Sequence, residues 1–408
     1  MSILLSNFLK QSWGRPLSHS LKIAFLPGGE DYWRGGLELL KNQIQAIKQT
    51  FGKKITTFAL ETRGHTKVGE LADVSISLSY PRRHSASWIV RVGTNYVTHL
   101  LLNTDHIIGS VLSRNDIDAV CGLGLTCRYD GVPSLSWLSD FQHMYYPQFF
   151  TEEERRIMNE SYLQMIKSSS RILLYSEAVR LDLEKFAPQY AHKARVLHPA
   201  VAIPDWAYAH DPESVVKKYS LPRKFFYLPN NFAKHKNHEI VIQAVHKLSQ
   251  RGVNVVVVFD GCEDHRRPGY FGQLWRRVSE LGVRDQIVYA GFLPHDDLLM
   301  LMRQSISVLS PSLFEGWGLT VTEARSLGKR VLVSDIPPFR EQDPPEAIYF
   351  NPTDSLELAD RMAEIWAKTE PGPDLELEAN ARRDTPSLLR ENAERFVAIV
   401  NEVITEFN

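Results

Sequence analysis

The chain alternates between two periods almost from end to end. "LKIAFLPGG" reads as a strand running into a loop, "GGLELLKNQIQAIKQTFG" as an amphipathic helix stopped at Gly52, and "KKITTFAL" as a strand again. "AVCGLGL", "PSLSWL", "SRILLYS" and "ARVLHPAVA" supply further strands of the first half. The pattern restarts with the strand "KFFYLPN", the helix "NHEIVIQAVHKLSQRG", the strand "VNVVVVFDG" and the helix "YFGQLWRRVSELG". It continues through "QIVYAGFL", "DDLLMLMRQS", "ISVLSPS", a helix near "TVTEARSLG", and "RVLVSD". Runs of β-branched and aromatic residues that alternate with helical periodicity build βαβ units, and these build parallel sheets. The expected fold class is therefore α/β, with two Rossmann-like domains.

The boundary falls best in "AIPDWAYAHDPESVVKKYS", which is polar, aperiodic and contains prolines. This predicts an N-terminal domain over 1–205 and a C-terminal domain over 206–385. A final helix follows at 386–408, after a weakly structured "EPGPDLELEANARRDTP". That helix has no strand after it and is expected to pack back on the first domain. Open parallel sheets bind ligands at the carboxyl ends of their strands, where the strand order reverses. Two such sheets facing each other would hold a ligand in the cleft between them.

Composition removes several classes of function. With 408 residues and 43% hydrophobic content the chain has ample material for globular cores. Lys plus Arg total 47 against 48 for Asp plus Glu, a net charge of -1, which gives no basis for bulk nucleic-acid binding. Three cysteines, Cys121, Cys127 and Cys262, are too few and too scattered for a disulfide framework or a zinc site, and they read as reduced thiols of the cytoplasm. No apolar run reaches the roughly 20 residues of a membrane span. "MSILLSNFLKQSW" lacks the basic n-region of a signal peptide. Its apolar spacing suits a short amphipathic helix that docks on the protein body, with peripheral contact at the inner membrane face as the alternative.

The stretch "SPSLFEGWGLTVTEA" carries the chemistry. It follows a strand and opens a helix. Its glycines, Gly316 and Gly318, allow close approach of the backbone to a ligand. A helix N-terminus presents unpaired N–H groups and partial positive charge, which suit a phosphate. The carboxylates Glu315 and Glu323 flank it, and an ionised carboxylate accepts hydrogen bonds from hydroxyl groups. Phosphate in the middle with hydroxyls on both sides describes a nucleotide sugar. Helix capping alone would explain Glu323, but not an acid within a glycine turn. The sequence "DID" at Asp116–Asp118 resembles a metal-binding D-x-D, but its place just before a strand of the first domain reads as a turn. "GLGLTC" at Gly122 lacks the last glycine and the acid of a dinucleotide fingerprint.

"EGWGLTVTE", with the following "ARSLGKRVLVSD" and "AIYFNPTD", resembles the E-x7-E segment of retaining glycosyltransferases of the GT-B fold, family 4 (group 1). The resemblance is strongest over 225–354. It implies that Glu315 contacts the donor sugar and Glu323 the ribose. The backbone of Gly316, Trp317, Gly318 and Leu319 would hold the diphosphate and sugar, and Trp317 either lines the sugar pocket or simply packs. In "YLPNNFAKHKNHEIV", Lys236 matches the phosphate-binding lysine of the family. The arginine usual six positions earlier is Asn230 here, so Lys234, or Asn230 and Asn231 as neutral donors, must replace it. Gly261 of "FDGCED" would face the nucleotide, and Phe292 and Leu293 of "VYAGFLPHDDL" would read the base. Gly35 and Gly36 of "WRGGLELL" resemble the loop of the family that approaches the phosphates. His143 of "SDFQHMYYPQFF" matches a histidine that faces the reacting sugar.

The resemblance thus implies a retaining hexosyltransferase that needs neither cofactor nor metal. Its donor would be a UDP-, GDP- or dTDP-hexose, and its acceptor a glycan or lipid-linked chain in surface polysaccharide synthesis. The competing readings are a noncatalytic nucleotide-sugar-binding partner of another transferase, or a GT-B phosphorylase or epimerase. The basic stretches "YPRRHSASWIVR" and "HRRPGYFGQLWRR" are exposed charged faces by default, with acidic lipid or glycan as the alternative ligand.

Overall fold

The computed structural model describes residues 20–27, 34–61, 67–78, 103–264 and 267–407. The N-terminal stretch 1–13 and the basic stretch 80–91 lie outside the described residues, as do His265 and Arg266. The chain forms two units, one of residues up to Ala200 together with Ser387–Asn408, the other of Val201–Pro386.

The first unit is built on seven strands: β1 (Leu21–Leu26), β2 (Ile55–Glu61), β3 (Val74–Ser77), β4 (Ala119–Leu123), β5 (Ser134–Leu138), β6 (Arg171–Leu174) and β7 (Ala194–Val196). They run in the order β3-β2-β1-β4-β5-β6-β7, and every pairing is parallel. The order reverses between β1 and β4. The helix Arg34–Phe51 follows the β1 loop, and Gly52 ends it with φ 53°.

The second unit carries six strands: β8 (Phe226–Pro229), β9 (Val257–Asp260), β10 (Ile287–Tyr289), β11 (Ser307–Ser310), β12 (Val331–Ser334) and β13 (Ile348–Phe350). Their order is β10-β9-β8-β11-β12-β13, again parallel throughout. Strand periodicity sends Phe226, Leu228, Val257, Phe259 and Leu332 into one core and Tyr227, Val258, Val331 and Val333 into the other. Both faces of the sheet are covered, which is why these strands read as unbroken apolar runs. Its order reverses between β8 and β11, so the loops that leave those two strands meet at the switch point.

Two segments depart from the sequence reading. The stretch expected as an aperiodic linker folds into two short helices, Trp206–Ala209 and Glu213–Lys218, and buries Ala207, Val215 and Val216 in the second unit. Too few apolar residues per turn were available there to show a period. The terminal helix runs over Leu375–Phe407, and so includes residues expected to be weakly structured and Pro386. Tertiary contacts override the proline. On one side of it, Glu378 forms a buried ion pair with Arg303 at 2.6 Å, inside the second unit. On the other side, Phe396 stacks on Phe25 and Trp137, and Arg171 binds Glu402 at 2.7 Å, inside the first unit.

Candidate functional site

The β8 and β11 loops carry the residues singled out by their chemistry. After β8 the chain turns through a short 3-10 segment, Lys234–Lys236, and Asn237 adopts a left-handed conformation at φ 58°. The Asn237 amide donates to the carbonyls of Pro311 and Pro352, at 3.0 and 2.9 Å, and so ties together the loops that leave β8, β11 and β13. The N–H of Leu313 donates to the carbonyl of His235 at 2.8 Å. These bonds bring two predicted residues into contact. Lys236 Nζ lies 2.6 Å from Glu315 Oε1, which also accepts from Ser312 Oγ at 2.6 Å. The Glu315 side chain is only 10% exposed. Burial alone would raise its pKa, but the Lys236 charge, supported by His235 and the Ser312 hydroxyl, holds it below the usual carboxylate value. Glu315 is therefore an ionised acid in a nearly closed site.

The glycine turn is fixed from behind. Gly318 caps the helix Leu319–Leu327 with φ 94°, and a Cβ there would lie 2.5 Å from the Phe339 ring. Among the described residues no side chain caps that helix, so its first N–H groups keep their capacity for a ligand. The Trp317 indole N–H donates to Thr322 Oγ1 at 2.8 Å, Thr322 to Gln342 Oε1 at 3.2 Å, and Gln342 Nε2 to the Trp317 carbonyl at 2.5 Å. Of the two readings of Trp317, packing is the one seen: its ring is buried and belongs to this brace. Gln342 and Thr322 gave no signal in the sequence, because the two residues come together only through the turn of the chain after β12.

The second acid, Glu323, stands one turn into the same helix. Its Oε1 lies 2.8 Å from His295 Nε2. His295 opens the helix His295–Gln304, two residues past Leu293. The loops after β9 and β10 are joined as well: Gly261 N–H donates to the Gly291 carbonyl at 3.1 Å, and Leu293 N–H to Asp260 Oδ1 at 3.1 Å. Gly261 has φ 146°, and a Cβ there would lie 2.5 Å from the Asn230 carbonyl oxygen, so only glycine lets the two loops approach. Phe292 is 54% exposed, whereas Leu293 is buried and its N–H engaged.

Where the arginine of the family would stand, Asn230 is 6% exposed and its Nδ2 has no hydrogen-bond partner among the described residues. An unpaired buried amide costs free energy, so this donor is poised for an acceptor. Asn231 is turned elsewhere, with its Oδ1 accepting from the N–H of Cys262 at 3.1 Å. Lys234 stands on the exposed surface.

In the first unit, Gly35 and Gly36 lie in the opening turn of the helix Arg34–Phe51. His143, expected to face a reacting sugar, is only 3% exposed. Its Nε2 lies 2.8 Å from Asn159 Oδ1, and its ring sits among Phe141, Phe150, Tyr162 and Phe186. The ring packs among these aromatic residues, and its Nδ1 is buried with no hydrogen-bond partner among the described residues. The "DID" carboxylates belong to a turn: Asp118 Oδ2 accepts from the Lys22 N–H at 2.7 Å, and Asp116 lies 3.5 Å from Lys22 Nζ. Among the described residues no helix is long and apolar enough to cross a membrane.

Known proteins resemble this chain over part or most of its length. Residues 213–384 match the family described as "Glycosyl transferases group 1". The O-antigen chain mannosyltransferase RfbU of Salmonella typhimurium is 25% identical over 216 residues, 53% of this chain and 56% of that protein. The serotype-specific mannosyltransferase WbdA of Escherichia coli is 31% identical over 150 residues, 36% of this chain and 18% of that protein. The chain thus spans about half, or less, of the length of these relatives. Anabaena Alr3699/HepE, solved in complex with UDP and glucose, superposes with a TM-score of 0.62 at 14% identity, over 95% of this chain and 98% of that one. That likeness is one of fold, the GT-B arrangement of two Rossmann-like units. Residues 213–384, the stretch that carries the second sheet and the acid pair, thus resemble the group 1 glycosyl transferases.

Proposed function

We propose that the protein moves a hexose from a nucleoside diphosphate sugar to an acceptor hydroxyl, with retention of configuration and without a metal. The observation that carries this reading is the Lys236–Glu315 pair, 2.6 Å apart at the switch point beside an uncapped helix N-terminus. In the free protein the two charges neutralise each other. A diphosphate arriving at the turn Gly316–Leu319 competes for Lys236 Nζ and leaves Glu315 free to accept hydroxyl groups of the sugar. Asn230 Nδ2 replaces the missing arginine as a neutral donor. Glu323 takes the ribose, and the exposed loop at Phe292 lies nearest the base.

Retention follows from attack on the face from which the diphosphate leaves. The departing phosphate oxygen accepts the proton of the acceptor hydroxyl. As the glycosidic bond breaks, negative charge grows on the diphosphate, and Lys236 with the helix N–H groups stabilises it. A good donor aimed at developing charge lowers the barrier by about 3 kcal/mol. This supply of positive charge is what lets the reaction proceed without a divalent ion. The names of the matched relatives favour mannose as the hexose and a growing O-antigen-type polysaccharide as the acceptor.

The test is incubation with GDP-mannose, UDP-glucose, UDP-galactose and dTDP-rhamnose in excess EDTA, with release of nucleoside diphosphate followed over time. Slow release from one donor, faster with acceptor glycan, is the expected result. Binding with no release would indicate a noncatalytic partner. Activity lost in EDTA and restored by Mg²⁺ or Mn²⁺ would overturn the metal-free mechanism.

A further inference from the structure

The Glu323 carboxylate is held on one side only. Its Oε1 is taken by His295 Nε2, and among the described residues Oε2 has no protein partner. The Glu323 side chain is 14% exposed and that of His295 32%, so the pair lies at the lip of the site, neither in a core nor on open surface. An ionised carboxylate can only accept, so the proton of this contact belongs to His295 Nε2. The other ligand-facing acid, Glu315, is fixed by two donors, Lys236 and Ser312. Glu323 is fixed by His295 alone.

We infer that His295 is a positioning residue for nucleotide recognition: it locks the Glu323 carboxylate in the orientation that accepts the ribose hydroxyls. Three rotatable bonds separate that carboxylate from the helix backbone. Freezing them only when ligand arrives would lower affinity, and a bond already present in the free protein removes much of that cost. His295 also lies two residues past Leu293, at the start of the helix that follows the loop assigned to the base. The loop nearest the base thus holds the acid that meets the sugar of the same nucleotide, and the two contacts form as one. Against it stands a partly exposed contact of little consequence. The inference rests on the proposed function, because it takes Glu323 as the ribose acid.

The test is titration calorimetry of the full chain with UDP, GDP and ADP and with their 2′,3′-dideoxy counterparts. Wild type is compared with Glu323→Ala, His295→Ala and His295→Gln, the last of which keeps an N–H donor at the distance of Nε2. Wild type is expected to prefer the ribonucleotide. His295→Ala should weaken the best-bound ribonucleotide about five- to tenfold, leave the dideoxy form unchanged, and so erase most of the preference. His295→Gln should restore it to within about twofold. His295→Leu, which lacks the donor but keeps bulk, replaces Ala if melting shows that Ala does not fold. Should Glu323→Ala lose the preference while His295→Ala keeps it, His295 has no positioning role. Weakening of both nucleotide forms alike by His295→Ala also overturns the inference. If Glu323→Ala keeps the preference, or wild type binds none of the three, the ribose reading itself fails and the inference falls with it.

Discussion

At the carboxyl end of β8 and β11 a lysine and a glutamate meet at 2.6 Å, with a buried unpaired amide and an uncapped helix beside them. At the carboxyl end of β5 the chain instead shuts a histidine ring into a box of four aromatic residues. Both positions top a parallel sheet of the same type, so the sheet does not decide what its loops do. Where the loops leave a charged pair partly open, as at Lys236 with 21% of its side chain exposed, the proposed diphosphate has access. At His143 a ring nitrogen is left without a partner too, but the aromatic box leaves the residue only 3% exposed, so packing closes it from a ligand. A titratable residue at a strand end is therefore read by the access its surroundings leave it, and not by its place in the topology alone.

Four measurements break or sharpen that contrast. Lys236→Ala should have the largest effect, lowering turnover about 10²- to 10³-fold, because it removes the cation and leaves Glu315 buried without its partner. Steady-state rates with the active donor check this, and near-normal turnover would mean that the pair is structural. Next, Glu323→Ala should raise the Kd for free nucleoside diphosphate about 10- to 100-fold, as expected for loss of one charge-assisted bond of roughly 1.5–3 kcal/mol. Calorimetry with the nucleotide alone reads this directly.

His143→Ala is the counterpart in the first unit. It should cost about 2 kcal/mol of stability through the lost aromatic contacts, while kcat at a permissive temperature stays within about twofold of wild type. Melting curves beside kinetics separate the two outcomes. An unchanged melting temperature with a large fall in kcat would return this residue to the chemistry.

The smallest effect concerns the amino end of the second sheet. Lys329, just before β12, is buried and donates to the carbonyls of Arg303 and Gly372 at 3.1 and 2.8 Å. Burial lowers its pKa from 10.5 to about 7. The unfolded chain therefore binds the extra proton between about pH 7 and 10, and stability climbs with pH across that window. The slope should approach about 1.4 kcal/mol per pH unit. Lys329→Met should remove it, so the stability gap between variant and wild type should change between pH 7.5 and 8.5. A constant gap in denaturant titrations would show that Lys329 does not titrate there. Nucleotide affinity should be the same in both proteins, since this end of the sheet lies opposite the site.

Much of the molecule was legible from the residues alone. The alternation of periods 2 and 3.6 determined both parallel sheets, because each strand and helix must hide its own apolar face whatever its neighbours do. The spacing of Glu315, the two glycines and Glu323 singled out the loop that the proposed function gives to the ligand, since that chemistry is local in the chain. What only the tertiary structure decided is non-local. Lys236 reaches Glu315 because β8 and β11 are neighbours across a reversal of strand order, and Asn237 lashes three loops that no sequence window contains. The roles of Trp317 and His143 were undetermined for the same reason. Whether a ring packs or faces a ligand depends on the volume around it, and that volume is filled by residues such as Thr322, Gln342, Tyr162 and Phe186, which arrive from other elements. Pro386 stays inside a helix because the contacts of Glu378 and Phe396 on either side outweigh the bond that a proline cannot make.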